Sequence, residues 1–353
     1  MKTLERFVEQ LASIPANTSW YLADLGESRG KQELFTKQSS QRLRALREHA
    51  LIESAVSSNR IEGVEVDHKR IGTVIFGKSL LRDRDEEEVR GYRNALNLIH
   101  KKGASLAISE KTISMLHKLT HGDVWDAGKY KDKESNIIEK YPDGREYIRF
   151  KTVGVKETPQ FIKVWIELRH QCFKERPIHP LIALAASNLD FLCIHPFRDG
   201  NGRTSRLLLL LQCYQLGYEV GRYISIERLI EENKERYYET LKLSSERWHE
   251  GRHDPWPYIN FLLSLLKTAY REFEEKAGAV KDPKGAKTEL VESTIRSFIN
   301  EFSLSDLVHS CPGVSRDLIR KILRTLKDIG SLECLGKGPG AKWRNKGITS
   351  KRG

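Results

Sequence analysis

The sequence predicts a mainly α-helical protein that carries one β-hairpin and ends in a small module of three helices and a two-stranded wing. Three observations carry this expectation. Apolar side chains recur at helical spacing along most of the chain between Gln41 and Tyr270. The segment Tyr141-Pro142-Asp143-Gly144-Arg145 separates two runs containing Ile, Tyr and Phe, and Pro presets φ there while Gly accepts positive φ, so the chain reverses as a hairpin. Beyond Lys-Asp-Pro-Lys-Gly-Ala-Lys at 281–287, a linker by composition, short capped helical segments lead into two short strand runs.

Length and composition bound the function. A chain of 353 residues is long enough for two or three domains and a sizeable core. The run Leu207–Leu211 is far too short to cross a bilayer, and Met-Lys-Thr-Leu-Glu-Arg-Phe at the start places charges where a signal peptide needs apolar residues. No membrane role is expected. The 5 cysteines, at 172, 193, 213, 311 and 334, include no Cys-x-x-Cys pair, which reads as reduced thiols in a cytoplasmic protein. The formal charge of +12 is uneven: residues 283–353 hold 14 Lys and Arg against 7 Asp and Glu.

Residues 1 to about 40 are mixed, with Pro15, Asn17 and Gly26 in a poorly periodic stretch to which no function is assigned. A helix runs from Gln41 to Asn59 on Leu43, Leu46, Ala50, Ile52 and Val56, and stops at Gly63. Four-residue spacing puts Ser58 and Glu62 on one face of its last turn. The acidic run 83–88 opens another helix, where the dipole favours it. Ser109–Thr120 is a further helix; His117 and His121 lie four apart, but the sequence supplies no third ligand beside them, so they read as structural. The hairpin strands are 136–140 and 146–150. Pro159–Cys172, Leu181–Ile194, a helix starting near Arg203, Ile226–Ser244 and Trp256–Tyr270 complete the helical body.

The segment His195-Pro-Phe-Arg-Asp-Gly-Asn-Gly-Arg-Thr-Ser-Arg206 joins the two most apolar helices. Pro196 ends the first, and Gly200 and Gly202 allow a tight turn into the second. The free amides of that second helix, flanked by Arg203 and Arg206, make an anion site suited to polyphosphate. Asp199 beside phosphate calls for a hard cation, Mg²⁺, and His195 is left to move a proton near neutral pH.

This segment resembles the Fic family signature, His-Pro-Phe-x-Asp/Glu-Gly-Asn-Gly-Arg-x-x-Arg, at every position. The resemblance implies a Fic-type helical bundle that transfers AMP from ATP to a Tyr, Thr or Ser hydroxyl of a protein, the chain itself included, and releases pyrophosphate. By resemblance, His195 is the base, Asp199 holds Mg²⁺, Gly200, Asn201 and Gly202 form the anion hole, and Arg203 and Arg206 contact the outer phosphates. Thr204 and Ser205 belong to the same ATP-binding turn, and Asn233 and Tyr237 match positions near the adenine. Ser58-Asn-Arg-Ile-Glu62-Gly63 resembles the family's inhibitory motif, whose glutamate pairs with the second signature arginine, here Arg206. The hairpin corresponds to the flap that holds a target segment.

The implied organisation is an N-terminal helical region 1–105 with the motif at 58–63, then a Fic core 106–280 with flap 136–150 and signature 195–206. The linker 281–287 leads to a winged helix-turn-helix at 288–346. In that module Leu318, Ile319, Ile322, Leu323 and Leu326 point inward, while Arg316, Arg320, Lys321, Arg324 and Lys327 lie on polar faces. The sequence leaves DNA contact by this module and homo-oligomerisation open. Two other readings also stand. Some Fic relatives move UMP, phosphocholine or phosphate, although Gly200-Asn201-Gly202 follows the AMP-transferring pattern. The other is a DNA-binding regulator whose core only senses nucleotide, against which His195 argues, because sensing needs no base.

Overall fold

Two helices that are buried on nearly every face lie at the centre of the computed structural model, and the other elements wrap them. It describes residues 2–9, 13–36, 40–67, 69–77, 80–122, 124–140, 144–278, 286–298, 300–311, 314–336, 338 and 340–346. The architecture is mainly helical with two small antiparallel sheets. The linker core 281–285 and the hairpin tip 141–143 lie outside the described residues. No helix of the described chain is long and apolar enough to cross a membrane, and all five cysteines are free thiols.

In the first 36 residues, where the sequence shows little periodicity, the chain forms α1 (Lys2–Glu9) and α2 (Ala16–Thr36). They dock on the core through Leu4, Phe7, Leu25 and Phe35, and buried hydrogen bonds supplement those contacts. In α1 the Thr3 amide and hydroxyl and the Leu4 amide donate to the buried Asp190 carboxylate, which also accepts from the Trp248 indole at 2.6 Å. Gln32 of α2 bridges to the Gly217 carbonyl, the Glu219 amide and the Tyr270 hydroxyl, and Thr18 bonds Asn260. With each polar group partnered, burial carries little desolvation penalty.

Next come α3 (Ser40–Ile61), α4 (Ile71–Phe76), α5 (Arg84–Lys102) and α6 (Glu110–His121). Helix α3 ends where Gly63 takes φ 84°, and Asp83 and Ser109 cap α5 and α6 by accepting from Glu86 and Thr112 amides. Gly91 lets α5 meet α6: a β-carbon there would come 2.0 Å from the Leu119 carbonyl oxygen. Strands β1 (Ile137–Lys140) and β2 (Glu146–Phe150) pair antiparallel, with Ile138 opposite Ile148. Both isoleucines are more than half exposed.

Helix α7 (Thr158–Glu175) precedes the central pair, α8 (Pro180–Ile194) and α9 (Asn201–Gln215). Nearly every residue of that pair is buried, which explains why both read as apolar all round. Helix α9 begins at Asn201, two residues before the expected Arg203. A single helix expected over Ile226–Ser244 is instead α10 (Ile226–Glu232) and α11 (Lys234–Ser245). Asn233 makes the break: it takes φ −118°, ψ 32°, and its side-chain amide returns to the Leu229 carbonyl at 2.9 Å. Helix α12 (Trp256–Gly278) runs past the expected Tyr270 and packs along α2.

A second hydrophobic cluster, separate from the first, belongs to the C-terminal residues. There the order is α13 (Ala286–Ser297), β3 (Phe302–Ser303), α14 (Leu304–Ser310), α15 (Arg316–Asp328), β4 (Leu332–Cys334) and β5 (Lys342–Asn345). The sheet order is β3-β5-β4, so a strand that the sequence did not announce joins the two that it did. Phe302 pairs with Trp343 while Ser303 caps α14 in a box with Asp306. Helix α14 rests on α3, and His309 stacks on Phe76 of α4.

Candidate active site

The turn between α8 and α9 places its side chains by two left-handed residues. His195 ends α8 at φ 54°, ψ 62°, with its amide bonded to the Phe191 carbonyl, and that unusual backbone for a non-glycine swings its ring away from the helix axis. Gly200, at φ 75°, starts α9. Asn201 holds the turn closed: its Oδ1 accepts from the Phe197 amide at 2.9 Å and its Nδ2 donates to the Phe197 carbonyl at 2.8 Å. Its side chain is therefore occupied by the loop, and only its backbone faces an anion at the helix start.

Beneath this loop lies His117, with Nδ1 accepting from the Gly128 amide at 2.8 Å and Nε2 donating to the Asp199 carbonyl at 3.0 Å. These bonds fix one neutral tautomer, and the ring stacks on Phe197 at 3.8 Å between centroids. Burial pushes its pKa down to about 4. His117 is a structural histidine.

Both signature arginines are buried. Arg206 donates from Nη2 to Glu62 at 2.7 Å and to the Ser58 carbonyl at 2.9 Å, and from Nε to the Ser58 hydroxyl at 2.8 Å. Burial opposes its charge, but the Glu62 carboxylate outweighs that and holds its pKa above the ordinary guanidinium value. Its Nη1 is buried without a hydrogen-bond partner. Arg203 reaches Glu88 and, at 3.3 Å, the Asn59 side chain, leaving its Nε without a partner. Glu62 also lies against the start of α9, since a β-carbon on Gly202 would stand 2.1 Å from its Oε1. Glycine at 202 and glutamate at 62 thus share one space.

The expected residues Ser58, Glu62, His195, Asp199, Gly200, Gly202, Arg203 and Arg206 converge here. Gly63 shapes the end of α3. Others lie elsewhere or are already bonded. Ser205 is fully buried, with its hydroxyl returning to the Gly202 carbonyl. The Thr204 hydroxyl is buried and unpartnered. Asn233 is exposed at the α10–α11 joint, whereas Tyr237 is only 3% exposed, packed on Tyr258 and Phe261 beside Arg206. Its neighbour Tyr238 is 39% exposed, with its hydroxyl 3.4 Å from the Ile61 carbonyl.

Lys131, in the stretch 128–131 that resembles the family's approach to the flap, adjoins His195, a placement that the sequence did not announce. Its amide donates to the Pro196 carbonyl at 2.8 Å, and its Nζ donates to Thr152 at 2.8 Å and the Ile194 carbonyl at 3.3 Å. Burial lowers its pKa to about 8. Burial and the Lys131 cation together push His195 down to about 4, so its imidazole is neutral and able to accept a proton at pH 7.

Asp199 accepts from the Gly200 amide at 2.7 Å. Burial would raise its pKa, yet Arg203, that amide, His121 and Arg84 lower it, so it is ionised. A carboxylate, a run of helix amides and unsatisfied guanidinium nitrogens fit a cation-bridged polyphosphate.

The comparisons agree with this geometry. Residues 107–213 match the Fic/DOC family. They are a Fic/DOC domain. The Fic domain and its surroundings are 26% identical over 234 residues to a protein named protein adenylyltransferase Fic from Drosophila persimilis, covering 64% of this chain and 41% of that one. Its namesake from Drosophila melanogaster is 27% identical over 194 residues, 53% of this chain and 34% of that one. The chain thus spans less than half the length of these relatives. Among solved structures, a Fic family protein from Desulfovibrio desulfuricans superposes with a TM-score of 0.61 at 23% identity, over 96% of this chain and 98% of that one. A Fic domain containing signaling protein from Bacteroides thetaiotaomicron gives 0.61 at 20% identity, over 72% and 97%.

The electrostatics predict how His195 titrates. Its imidazole NMR resonances should shift with a midpoint near pH 4. Lys131→Met removes the repelling cation and should move that midpoint upward by about half a pH unit or more. Midpoints near 6.5 in both proteins would contradict the assignment.

Proposed function

We propose that the chain is an autoinhibited protein adenylyltransferase. The observation that carries this reading is the unsatisfied donor set around the start of α9, with Glu62 lying across it. Phosphate oxygens would meet the α9 amides, Arg206 Nη1 and Arg203 Nε, and the occupied Arg206 Nη2 would be available only after Glu62 withdraws. Bound Mg²⁺, held by Asp199, supplies charge neutralisation between the phosphates. His195 takes the proton of a target Tyr, Thr or Ser hydroxyl; that oxygen bonds to the α-phosphorus as the bond to the β-phosphate oxygen breaks, leaving pyrophosphate. A triphosphate beside His195 would also raise its basicity above that of the empty site. The hairpin supports a protein substrate, because its exposed edge offers main-chain groups to an extended segment. Free thiols fit a reducing, cytoplasmic setting.

The intact mass of Glu62→Gly protein after incubation with ATP and Mg²⁺ tests this. An AMP-sized increase, much larger than in the unsubstituted protein and lost when His195→Ala is added, is the expected result. An increase that survives His195→Ala would overturn the mechanism.

One further observation favours DNA as a second partner. The C-terminal order of helix, strand, two helices and two strands suits a winged helix-turn-helix, and Arg316, Arg320, Lys321, Arg324 and Lys327 are all exposed on α15. Duplex DNA binding by the full chain should weaken steeply with salt, and Arg320→Ala with Arg324→Ala should flatten that slope by roughly two counterions. A flat response in the unsubstituted chain would count against DNA.

A further inference from the structure

Three side chains from separate elements meet beside the α8–α9 loop: Glu88 of α5, His121 at the end of α6, and Asp199. One ligand-type atom of each lies within 4.8 Å of the others. His121 is the informative member. It is 3% exposed, and its Nδ1 is buried without a hydrogen-bond partner, 4.0 Å from an Asp199 carboxylate oxygen. That separation is too long for a hydrogen bond, yet two ligands of one ion can span it with bonds of about 2.0–2.2 Å. On the far side of the ring, Nε2 lies 3.3 Å from Asp126 Oδ1. A carboxylate there places the ring proton on Nε2 and leaves the Nδ1 lone pair facing Asp199, the arrangement that orients metal-binding imidazoles. His117, one turn earlier, has both nitrogens engaged by the backbone and offers no such lone pair.

We propose that Glu88, His121 and Asp199 form a site for a divalent transition ion that the chain binds without nucleotide. The inference rests on Asp199 being a metal ligand, as in the proposed function, and adds a nitrogen donor from which Mg²⁺ gains little and Mn²⁺ or a later ion gains more. Two cations face the same carboxylates. Arg203 bonds Glu88 and lies 3.4 Å from Asp199; Arg84 lies 2.9 Å from Glu88 and 3.7 Å from Asp199. Arg203 is buried and keeps its place, whereas the Arg84 side chain is 56% exposed and swings into solvent as the ion enters. Because these arginines offset the acids, net charge contributes little to ion binding. The imidazole therefore sets which ion is chosen.

Mn²⁺ is the probe. Nucleotide-free full-length protein should quench the six-line electron paramagnetic resonance signal of free Mn²⁺, and pulsed measurement should show coupling of the bound ion to an imidazole ¹⁴N. His121→Gln should remove that coupling and weaken binding about tenfold or more. Asp199→Asn should weaken binding too, and the coupling in unsubstituted protein stands as the reading if either variant fails to fold. Mn²⁺ that stays free, a bound ion without nitrogen coupling, or coupling that survives His121→Gln would each overturn the site. Mg²⁺-dependent transfer measured in parallel separates the two ideas, since intact transfer without nitrogen coupling overturns this inference alone.

Discussion

A buried arginine must find negative charge, and the site is organised around that requirement. Arg206 sits in the buried helix α9 with 3% of its surface exposed. Left unpaired, such a charge would cost several kcal/mol. Ser58 and Glu62 meet the need from the last turn of α3, so the same contact that satisfies the core also lays a carboxylate over the anion-binding end of α9. Glu62 is the more exposed of the two partners in that ion pair, its side chain 31% exposed, and the Ser58 hydroxyl and carbonyl bond Arg206 independently of it. A phosphate oxygen is a chemically equivalent replacement. Under the proposed function, stability and inhibition are two consequences of one ion pair.

The same economy governs the loop. The left-handed backbone at His195 and the Asn201 clamp set the position of the His195 imidazole at the end of α8. Lys131 ties the segment before the hairpin to Pro196 and Ile194, and burial together with its charge keeps His195 neutral. Through Thr152, which accepts from Lys131 and whose amide bonds Asn136, the root of the hairpin is fixed relative to the base. A segment paired with that hairpin would therefore approach a histidine whose position is already set.

What the sequence made legible was local chemistry. His195 to Arg206 could be read because Pro, Gly, Asp and Arg each have a distinct physical reason to stand in a loop that binds phosphate. Helices α8 and α9 could be read because full burial leaves an unbroken apolar signature. Helix α2 could not, since its buried Leu25 stands between Thr18 and Gln32, which dock by hydrogen bonds and break the apolar period. The break at Asn233 was hidden by an apolar pattern that continues across it, and β3 by being two residues long. The roles of Glu88, Lys131 and Asp190 depend on partners distant in sequence. His117 and His121 carry the same spacing signal, and only the tertiary structure separates them: both His117 nitrogens bond the backbone, whereas His121 Nδ1 is left without a partner.

The most direct test of the Glu62–Arg206 account is a double-mutant cycle on the rate of AMP transfer from ATP, comparing Glu62→Gly, Arg206→Ala and their combination with the unsubstituted chain. If the glutamate inhibits by holding the arginine, Glu62→Gly accelerates transfer only when Arg206 is present, and the combination is no faster than Arg206→Ala alone. Equal acceleration in both backgrounds would contradict the account and mean that Glu62 acts through some other group.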